Sequence, residues 1–248
     1  MSRKKPQKRQ LHERLVLDGR AASREAAERE IMAGVVRVNG ERVDKAGTLV
    51  ADDASVEVEK RREHVGRGAL KLEAAFTHFP ISCQGEPCAD VGACTGGFTE
   101  ILLRHGASRV YAIDVGYGDL DWSIRSDPRV VVMERTNARH VKELPERVGF
   151  VSVDVSFISL KKILPVVAGW LSPHGTVVAL VKPQFEASRD EVEAGGIVRD
   201  PEVHARVVEE IREVLPACGL EARGVQDSPI LGGDGNREFL LWAALSGR

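Results

Sequence analysis

A glycine-rich segment carries the clearest sign of chemistry in the 248-residue sequence. It reads Asp-Val-Gly-Ala-Cys-Thr-Gly-Gly-Phe over positions 90–98, at the end of a predicted buried strand and the start of a predicted helix. Glycines at such a turn let a ligand approach the backbone closely. The spacing differs from the G-x-G-x-x-G loop that binds a dinucleotide pyrophosphate, and it lacks the Lys-Ser/Thr pair of a P-loop. The candidate ligand contacts are Asp90, Gly92, Gly96, Gly97 and Phe98.

A second candidate, Asp114, ends the next predicted strand, about 20 residues after the glycine-rich segment. A carboxylate at that position of an α/β sheet can accept hydrogen bonds from both ribose hydroxyls of a nucleoside cofactor. The segment and Asp114 together favour an adenosyl cofactor without a pyrophosphate, which is S-adenosylmethionine (SAM). The alternative is a tight strand-to-helix turn that binds no ligand.

The elements that must position these residues alternate between strand and helix, a pattern typical of a parallel, doubly wound α/β sheet. Asp200 and Pro201 give one helix a clear start, because the missing N–H of proline costs nothing at the first helical position. That helix is predicted over 201–218. The predicted strands are 87–93, 109–115, 130–135, 150–156, 176–182, 221–227 and 238–245.

A smaller unit is predicted ahead of this sheet. Ser23 is the residue type that caps a helix, and Gly34 the type that ends one. The Asn39–Gly40 pair between two short apolar runs indicates a hairpin. The predicted organisation is a flexible basic segment at 1–10, a small α+β unit at 11–59, a linker at 60–66 and the α/β domain at 67–248.

Charge is distributed unevenly along the chain. Residues 1–67 carry 16 Lys and Arg against 12 Asp and Glu, whereas the remainder carries 19 against 25. If the partner is a nucleic acid, the basic front supplies the surface that attracts phosphate. A solvated, charge-rich surface is the alternative. The candidate RNA contacts are Arg3, Lys4, Lys5, Arg20, Arg24, Arg37 and Arg67.

Other features exclude whole classes of protein. No apolar run approaches the roughly 20 residues that span a bilayer, and no apolar stretch follows the basic start as in a secretory signal. The four cysteines lack C-x-x-C spacing, so we expect reduced thiols and no structural metal. These features predict a soluble cytoplasmic protein with no membrane partner, and they favour a monomer.

Six motifs in order resemble those of one family. They are RGALKL at 67–72, DVGACTGGFT at 90–99, ERTNAR at 134–139, VDVSFISL at 153–160, VKPQFE at 181–186 and GNREF at 235–239. In this order they resemble the TlyA, or hemolysin-A-type, family of FtsJ-like 2′-O-methyltransferases. The front segment 23–43 is similar to the S4 RNA-binding domain that precedes the methyltransferase in that family.

The resemblance implies a catalytic tetrad of Lys71, Asp154, Lys182 and Glu238. It also implies SAM contacts at Gly96, Phe98, Asp114, Asn137 and Asp154. The implied substrate is a cytidine 2′-hydroxyl in ribosomal RNA, with ribosomal RNA or ribosomal subunits as partners. This sequence departs from the family at Gly66 and Cys94, and at Gln10 and His12, where S4 domains usually begin with Arg and Asp.

The chemistry is consistent with these residue types. The methyl group of a sulfonium is already activated, so the enzyme needs an oxygen nucleophile in line and a route for its proton. A free lysine, with a pKa of about 10.4, is mostly protonated at neutral pH and a poor base. We expect Lys182 to receive the proton or to stabilise the developing alkoxide, and Asp154 to orient Lys182. Lys71 and Glu238 would position the hydroxyl.

Two other functions remain open at this point. The chain could be an RNA-binding or ribosome-assembly protein with a vestigial methyltransferase domain, although the complete tetrad argues against this. The hemolysin name suggests a membrane-active protein, against which the missing signal and spanning segments weigh. Segment 185–199, with Gly195–Gly196, is predicted to form either a lid over the substrate or a long loop, and we favour the lid.

Overall fold

A computed structural model of the chain describes residues 7–58 and 64–246. The chain divides into two compact units, residues 1–63 and 64–248. Of the predicted linker, residues 60–63 lie outside the described residues.

The first unit is built from two short helices and five short strands. These elements are β1 (Lys8–Gln10), α1 (Leu11–Leu17), α2 (Arg24–Met32), β2 (Val36–Val38), β3 (Glu41–Arg42), β4 (Leu49–Ala51) and β5 (Val56–Val58). Strands β3, β2 and β5 form one antiparallel sheet, and β1 and β4 form another. Ser23 caps α2 by accepting a hydrogen bond from the Ala26 amide. Asn39 and Gly40 form the predicted hairpin turn, and both have positive φ.

One expectation for this unit is wrong. Residues 8–10, predicted to be part of a flexible segment, form β1. Arg9 pairs with Val50 in the ladder, and its guanidinium lies 3.2 Å from the Asp52 carboxylate. Three polar residues carry no apolar periodicity, so backbone pairing with β4 is what orders them.

The second unit contains the predicted α/β sheet. Its first half comprises α3 (Gly68–His78), β6 (Pro87–Val91), α4 (Gly97–Arg104), β7 (Arg109–Ile113), α5 (Trp122–Arg125), β8 (Val130–Met133) and β9 (Val148–Val153). Its second half comprises α6 (Leu164–Ala168), β10 (Leu171–Val181), α7 (Pro201–Val214), β11 (Leu220–Asp227) and β12 (Phe239–Leu245). Short 3₁₀ turns occupy Ala138–His140, Leu160–Lys162, Pro183–Phe185, Arg189–Glu191 and Pro216–Cys218.

The seven strands lie in the order β11-β12-β10-β9-β6-β7-β8. The five strands from β10 to β8 are parallel, whereas β12 runs antiparallel to both of its neighbours. Alternate residues of each central strand face opposite sides, so Cys88 and Phe150 belong to one apolar cluster and Ala89 and Val151 to the other. Both faces are therefore buried, which confirms the doubly wound α/β fold.

Helix α7 shows how local sequence sets an element's bounds. Asp200 caps its start by accepting a hydrogen bond from the Glu202 amide, and Pro201 is its first residue. The helix ends at Val214 rather than at the predicted residue 218, because Pro216 has no N–H to continue the helical hydrogen bonds. Residues Pro216–Cys218 form a 3₁₀ turn instead. Within residues 7–58 and 64–246, no helix has the length and hydropathy needed to cross a membrane.

Candidate active site

The four residues predicted to be catalytic come from one helix and three strand ends. Lys71 lies on α3, Asp154 directly follows β9, Lys182 directly follows β10, and Glu238 directly precedes β12. The first residue of β12 pairs with the last residue of β10. Because these two strands are antiparallel, the start of β12 lies at the same sheet edge as the ends of β9 and β10.

These side chains form two ion pairs. Lys71 Nζ donates a hydrogen bond to Glu238 Oε2 over 2.6 Å, and both residues are buried. Lys182 Nζ lies 2.6 Å from Asp154 Oδ1 and donates a hydrogen bond to Ser156 Oγ over 3.0 Å. Replacing a buried ion pair by apolar residues is often neutral or stabilising. A contribution to folding stability therefore does not explain why two such pairs lie at one edge of the sheet.

One oxygen of Asp154 has spare bonding capacity. Lys182 approaches Oδ1 outside hydrogen-bond geometry, and within the described residues this buried oxygen accepts no hydrogen bond. The ammonium of Lys182 offsets much of the cost of burying this oxygen. The remaining lone pairs of the carboxylate can accept a hydrogen bond from a ligand.

The glycine-rich segment is shaped by close backbone contacts. Gly92 has a φ of +88°, and a Cβ at this position would lie 2.0 Å from the carbonyl oxygen of Asp154. Gly96 has a φ of +94° and caps α4 in the left-handed conformation. A Cβ on Gly97 would lie 2.9 Å from the amide nitrogen of Ala69 on α3. The segment packs too closely on its neighbours for any other residue at these positions.

Asp114 connects the glycine-rich segment to the turn after β7. Its Oδ2 accepts a hydrogen bond from the Cys94 amide over 2.8 Å, and its Oδ1 accepts one from the Gly116 amide over 2.7 Å. A carboxylate has about four lone-pair positions. Asp114 can therefore hold both turns and still accept hydrogen bonds from a ligand's hydroxyl groups.

A cavity of about 1160 Å³ lies along this edge of the sheet. It exceeds the usual 300–1,000 Å³ of a small-molecule pocket, so it has room for more than one ligand. Four of the predicted cofactor contacts line it: Gly92, Asp114, Asn137 and Asp154. Lys182 is not among the lining residues, but it contacts two that are, Asp154 and Ser156. These residues fit a nucleoside cofactor in size and polarity.

Two predicted cofactor contacts lie behind the glycine-rich segment instead. Asp90 is fully buried and accepts hydrogen bonds from the hydroxyls of Thr99 and Ser152 over 2.7 and 3.0 Å. Burial raises the pKa of its carboxyl to about 7. Phe98 is buried in the apolar cluster between α3 and α4. Asp90 on β6 and Phe98 in the first turn of α4 therefore face inward, and their contact with the cofactor stays a prediction.

Sequence reasoning assigned no role to several residues of the quoted motifs that line the cavity. Ser156, Phe157, Gln184 and Phe185 all do so. The Phe157 side chain is 91% exposed, its φ is +62°, and its ring centroid lies 5.0 Å from that of Phe185. In the sequence, these residues lie within three positions of Asp154 or Lys182, and this proximity could have identified them as candidate site residues.

Segment 185–199, predicted to be a lid, is held in place at its far end. The Asn236 side chain accepts a hydrogen bond from the Val198 amide and donates one to the Gly196 carbonyl oxygen, both over 2.9 Å. Glu193 and Ile197 form a β-bridge, and Val198 is buried. Phe185 and Arg189, at the start of the segment, line the cavity, so this part of the segment contributes to its wall.

The predicted RNA contacts are only partly described. Arg3, Lys4 and Lys5 lie outside the described residues. Arg24 is exposed and pairs with Glu28 over 2.8 Å, and Arg20 lies 3.8 Å from Asp18. Arg37 donates a hydrogen bond to the Gly40 carbonyl oxygen, and Arg67 to that of Leu231. All four described arginines remain at least partly exposed.

Comparison with known proteins agrees with this architecture. The FtsJ-like methyltransferase family matches residues 64–245, and the S4 domain matches residues 2–56. The Bacillus subtilis protein YqxC, named as an rRNA methyltransferase, is 49% identical over 234 residues, which cover 92% of this chain and 82% of YqxC. The 16S/23S rRNA (cytidine-2′-O)-methyltransferase TlyA of Mycobacterium tuberculosis is 46% identical over 232 residues, 92% of this chain and 87% of that protein.

A solved structure extends the likeness to three dimensions. A Lactococcus lactis protein described as a hemolysin superimposes with a TM-score of 0.73 at 46% identity, over 76% of this chain and 91% of that one. The identity, the coverage and the order of the two domains all confirm the expected family. The chain belongs to the TlyA family of FtsJ-like methyltransferases, which carry an S4 domain ahead of the methyltransferase domain.

Proposed function

We propose that this enzyme transfers a methyl group from SAM to the ribose 2′-hydroxyl of a cytidine in ribosomal RNA. The observation that carries the proposal is the meeting of two ion pairs, Lys182 with Asp154 and Lys71 with Glu238, at one edge of the sheet. Asp154 also lines a cavity that has room for more than one ligand. The substrate named in the M. tuberculosis relative, cytidine in rRNA, supports the finer assignment.

The cofactor would be held at the glycine-rich side of the cavity. Gly92 lines the cavity there, and Asp114 has acceptor positions for ribose hydroxyls. Asn137 and Asp154 complete the polar lining. SAM, when bound, supplies a sulfonium methyl group that an oxygen nucleophile can displace from sulfur.

Lys182 would accept the proton of the attacking hydroxyl or stabilise the alkoxide that forms. Its Nζ is held by Asp154 and Ser156, so its position relative to the cavity is fixed by two contacts. There it either accepts the hydroxyl proton or, as an ammonium, donates a hydrogen bond to the developing alkoxide. Lys71 and Glu238 form a rigid neighbouring pair that would orient the nucleotide.

The RNA would be recruited by both units. The S4 domain carries the basic excess at the front of the chain, which attracts phosphate irrespective of sequence. In the methyltransferase domain, the exposed ring of Phe157 offers a stacking surface for an unpaired base at the cavity rim. This supports a substrate nucleotide that leaves its stack to reach the site.

A methyl-transfer assay with ribosomal subunits tests the proposal. Wild-type protein with SAM should add methyl groups that mass spectrometry maps to cytidine 2′-oxygens. Lys182→Ala should lower the rate by about 100-fold or more, while calorimetry finds SAM affinity little changed. Lys161→Ala is the matched control, because Lys161 is an exposed lysine paired with Glu210. Methylation elsewhere, or equal loss of rate and SAM affinity in Lys182→Ala, would contradict the assignment.

A further inference from the structure

Glu186 occupies a position that the proposed chemistry does not explain. It closes the VKPQFE motif, four residues after Lys182. Its Oε2 accepts a hydrogen bond from Ser159 Oγ over 2.5 Å, and its Oε1 accepts one from the Leu160 amide over 2.7 Å. Ser159 and Leu160 belong to the other motif, five and six residues after Asp154. Glu186 thus joins the segment that follows β10 to the segment that follows β9.

This contact closes a ring with the catalytic pair. At one end, Lys182 contacts Asp154 and Ser156; at the other, Glu186 contacts Ser159 and Leu160. Between the two ends lie cavity-lining residues from both segments: Phe157, Ile158, Gln184 and Phe185. A shift of Glu186 relative to Ser159 and Leu160 must therefore be accompanied by a shift of Lys182 relative to Asp154 and Ser156.

The backbone of segment 182–186 is stiff enough to transmit this constraint. The Phe185 amide donates a hydrogen bond to the Lys182 carbonyl oxygen, and the Glu186 amide donates one to that of Pro183. The stretch is a continuous 3₁₀ turn with proline as its first residue. A displacement of Glu186 therefore shifts Lys182 rather than being absorbed in between.

The opposite segment needs external support. Phe157 is not glycine yet has a φ of +62°, a strained conformation that persists only where the surroundings impose it. The two contacts that flank it along the chain are those of Ser156 with Lys182 and Ser159 with Glu186. Burial of Glu186 opposes its ionisation and raises its pKa, so the charged carboxylate is held there at a cost.

We propose that Glu186 is a positioning residue for methyl transfer, which fixes Lys182 and the Phe157 side of the cavity through Ser159 and Leu160. It does not contact the reacting atoms. The inference rests on the proposed function, since Lys182 is taken as the group that handles the hydroxyl proton.

Kinetics of full-length variants form the first part of the test. Glu186→Ala should lower kcat by about 10- to 100-fold, with the KM for rRNA and the Kd for SAM little changed. Glu186→Gln should recover most of the rate, because its amide oxygen can still accept the Leu160 hydrogen bond. Glu191→Ala is the matched control, since Glu191 lies on the same segment but pairs with Ser188 and Arg206. Unchanged kcat in Glu186→Ala would overturn the proposal.

Hydrogen exchange forms the second part and needs no activity. Glu186→Ala should accelerate amide exchange in 155–160 and 182–187 and leave the glycine-rich segment 90–98 as in wild type. If exchange rises across the whole sheet, Glu186 contributes to overall stability rather than to positioning. If exchange does not rise anywhere, Glu186 has no positioning role. If Glu186→Ala does not fold, Ser159→Ala removes one of the two hydrogen bonds and serves the same comparison. A wild-type protein that transfers no methyl group would overturn the proposed function alone, and hydrogen exchange would still decide the role of Glu186.

Discussion

At the scale of single residues, the site is defined by charges held in a buried environment. Lys71, Lys182 and Glu238 each expose less than a tenth of their surface, and such groups are costly to bury unless paired. Each is paired by geometry that the backbone imposes. The pairing of Lys182 with Asp154 follows from the sequence, because both residues end predicted parallel strands. The pairing of Lys71 with Glu238 does not, since it depends on the direction of β12.

Asp114 is predicted to be essential for cofactor binding. Asp114→Ala removes the acceptor of two backbone hydrogen bonds as well as the proposed ribose contact. Hydrogen bonds to charged groups contribute about 1.5–3 kcal/mol, so SAM affinity measured by calorimetry should fall about tenfold or more. Asp114→Asn, which keeps one acceptor, should show a smaller loss. Equal affinity in all three proteins would refute the ribose assignment.

Asp90 should give the fold a distinct pH dependence. Because burial raises the pKa of Asp90 from 3.8 to about 7, the folded chain keeps a proton that the unfolded chain has already lost. The stability due to that proton is fully present below about pH 4 and is lost as pH rises to about 7, by at most about 4 kcal/mol. Asp90→Asn mimics the protonated acid and should lack this loss. Urea unfolding of both proteins from pH 4 to 8 provides the check, and parallel stability curves would contradict it.

The position of Asp90 also shows what sequence reasoning cannot give at this scale. A motif gives the order of residues but not the direction of each side chain. Gly92 and Asp114 face the cavity, whereas Asp90 and Phe98, in the same segment, face the core. Asp90 is held by Thr99 on α4 and Ser152 on β9. Phe98 packs in the apolar cluster that contains residues of α3. The direction of each side chain therefore depends on residues from other elements.

At the scale of elements, the ends of strands β6, β7, β9 and β10 assemble the site. All seven strands predicted for the large sheet are present, because their apolar character and the turn residues between them are local signals. Strands β1 and β4 were not predicted, since three-residue strands have too little periodicity to be recognised. The order of strands is likewise not a local property, and it is what brings Glu238 next to Lys182.

Gly92 is predicted to be irreplaceable in the glycine-rich segment. The Cβ of Gly92→Ala would lie 2.0 Å from the Asp154 carbonyl oxygen, so β6 and β9 would have to separate at the site. We expect a loss of SAM binding together with a lower melting temperature. Gly85→Ala is the matched control, because Gly85 also has a positive φ, +76°, but open space around its Cβ position. If both variants bind SAM equally well, the close contact at Gly92 has no functional importance.

At the scale of the whole molecule, the chain consists of two units, each with its own apolar core. The first unit has a core of its own around Leu11, Leu15 and Ile31. The second has the two clusters that cover the sheet. The chain divides after residue 63, and the matched domains cover 2–56 and 64–245. The boundaries at residues 59 and 67 stay predictions.

Removal of the first unit should separate RNA recognition from cofactor binding. Deleting residues 1–62 should leave a folded domain that binds SAM with wild-type affinity, because all the proposed SAM contacts lie after residue 90. Methylation of ribosomal subunits should become weak, since the deletion removes most of the basic excess. Calorimetry and methyl-transfer assays on both proteins provide the measurement. Full activity of the shortened protein would make the S4 domain dispensable.

The antiparallel course of β12 also bears on the order in which the protein folds. The contact between Lys71 and Glu238 joins residues 167 positions apart, and such contacts form only after a large loss of chain entropy. The glycine-rich segment and Asp114, by contrast, are joined over 20 positions. The cofactor side of the cavity can therefore form early, before the last strand enters the sheet. A chain arrested at that stage would bind a methyl donor that it could not yet use.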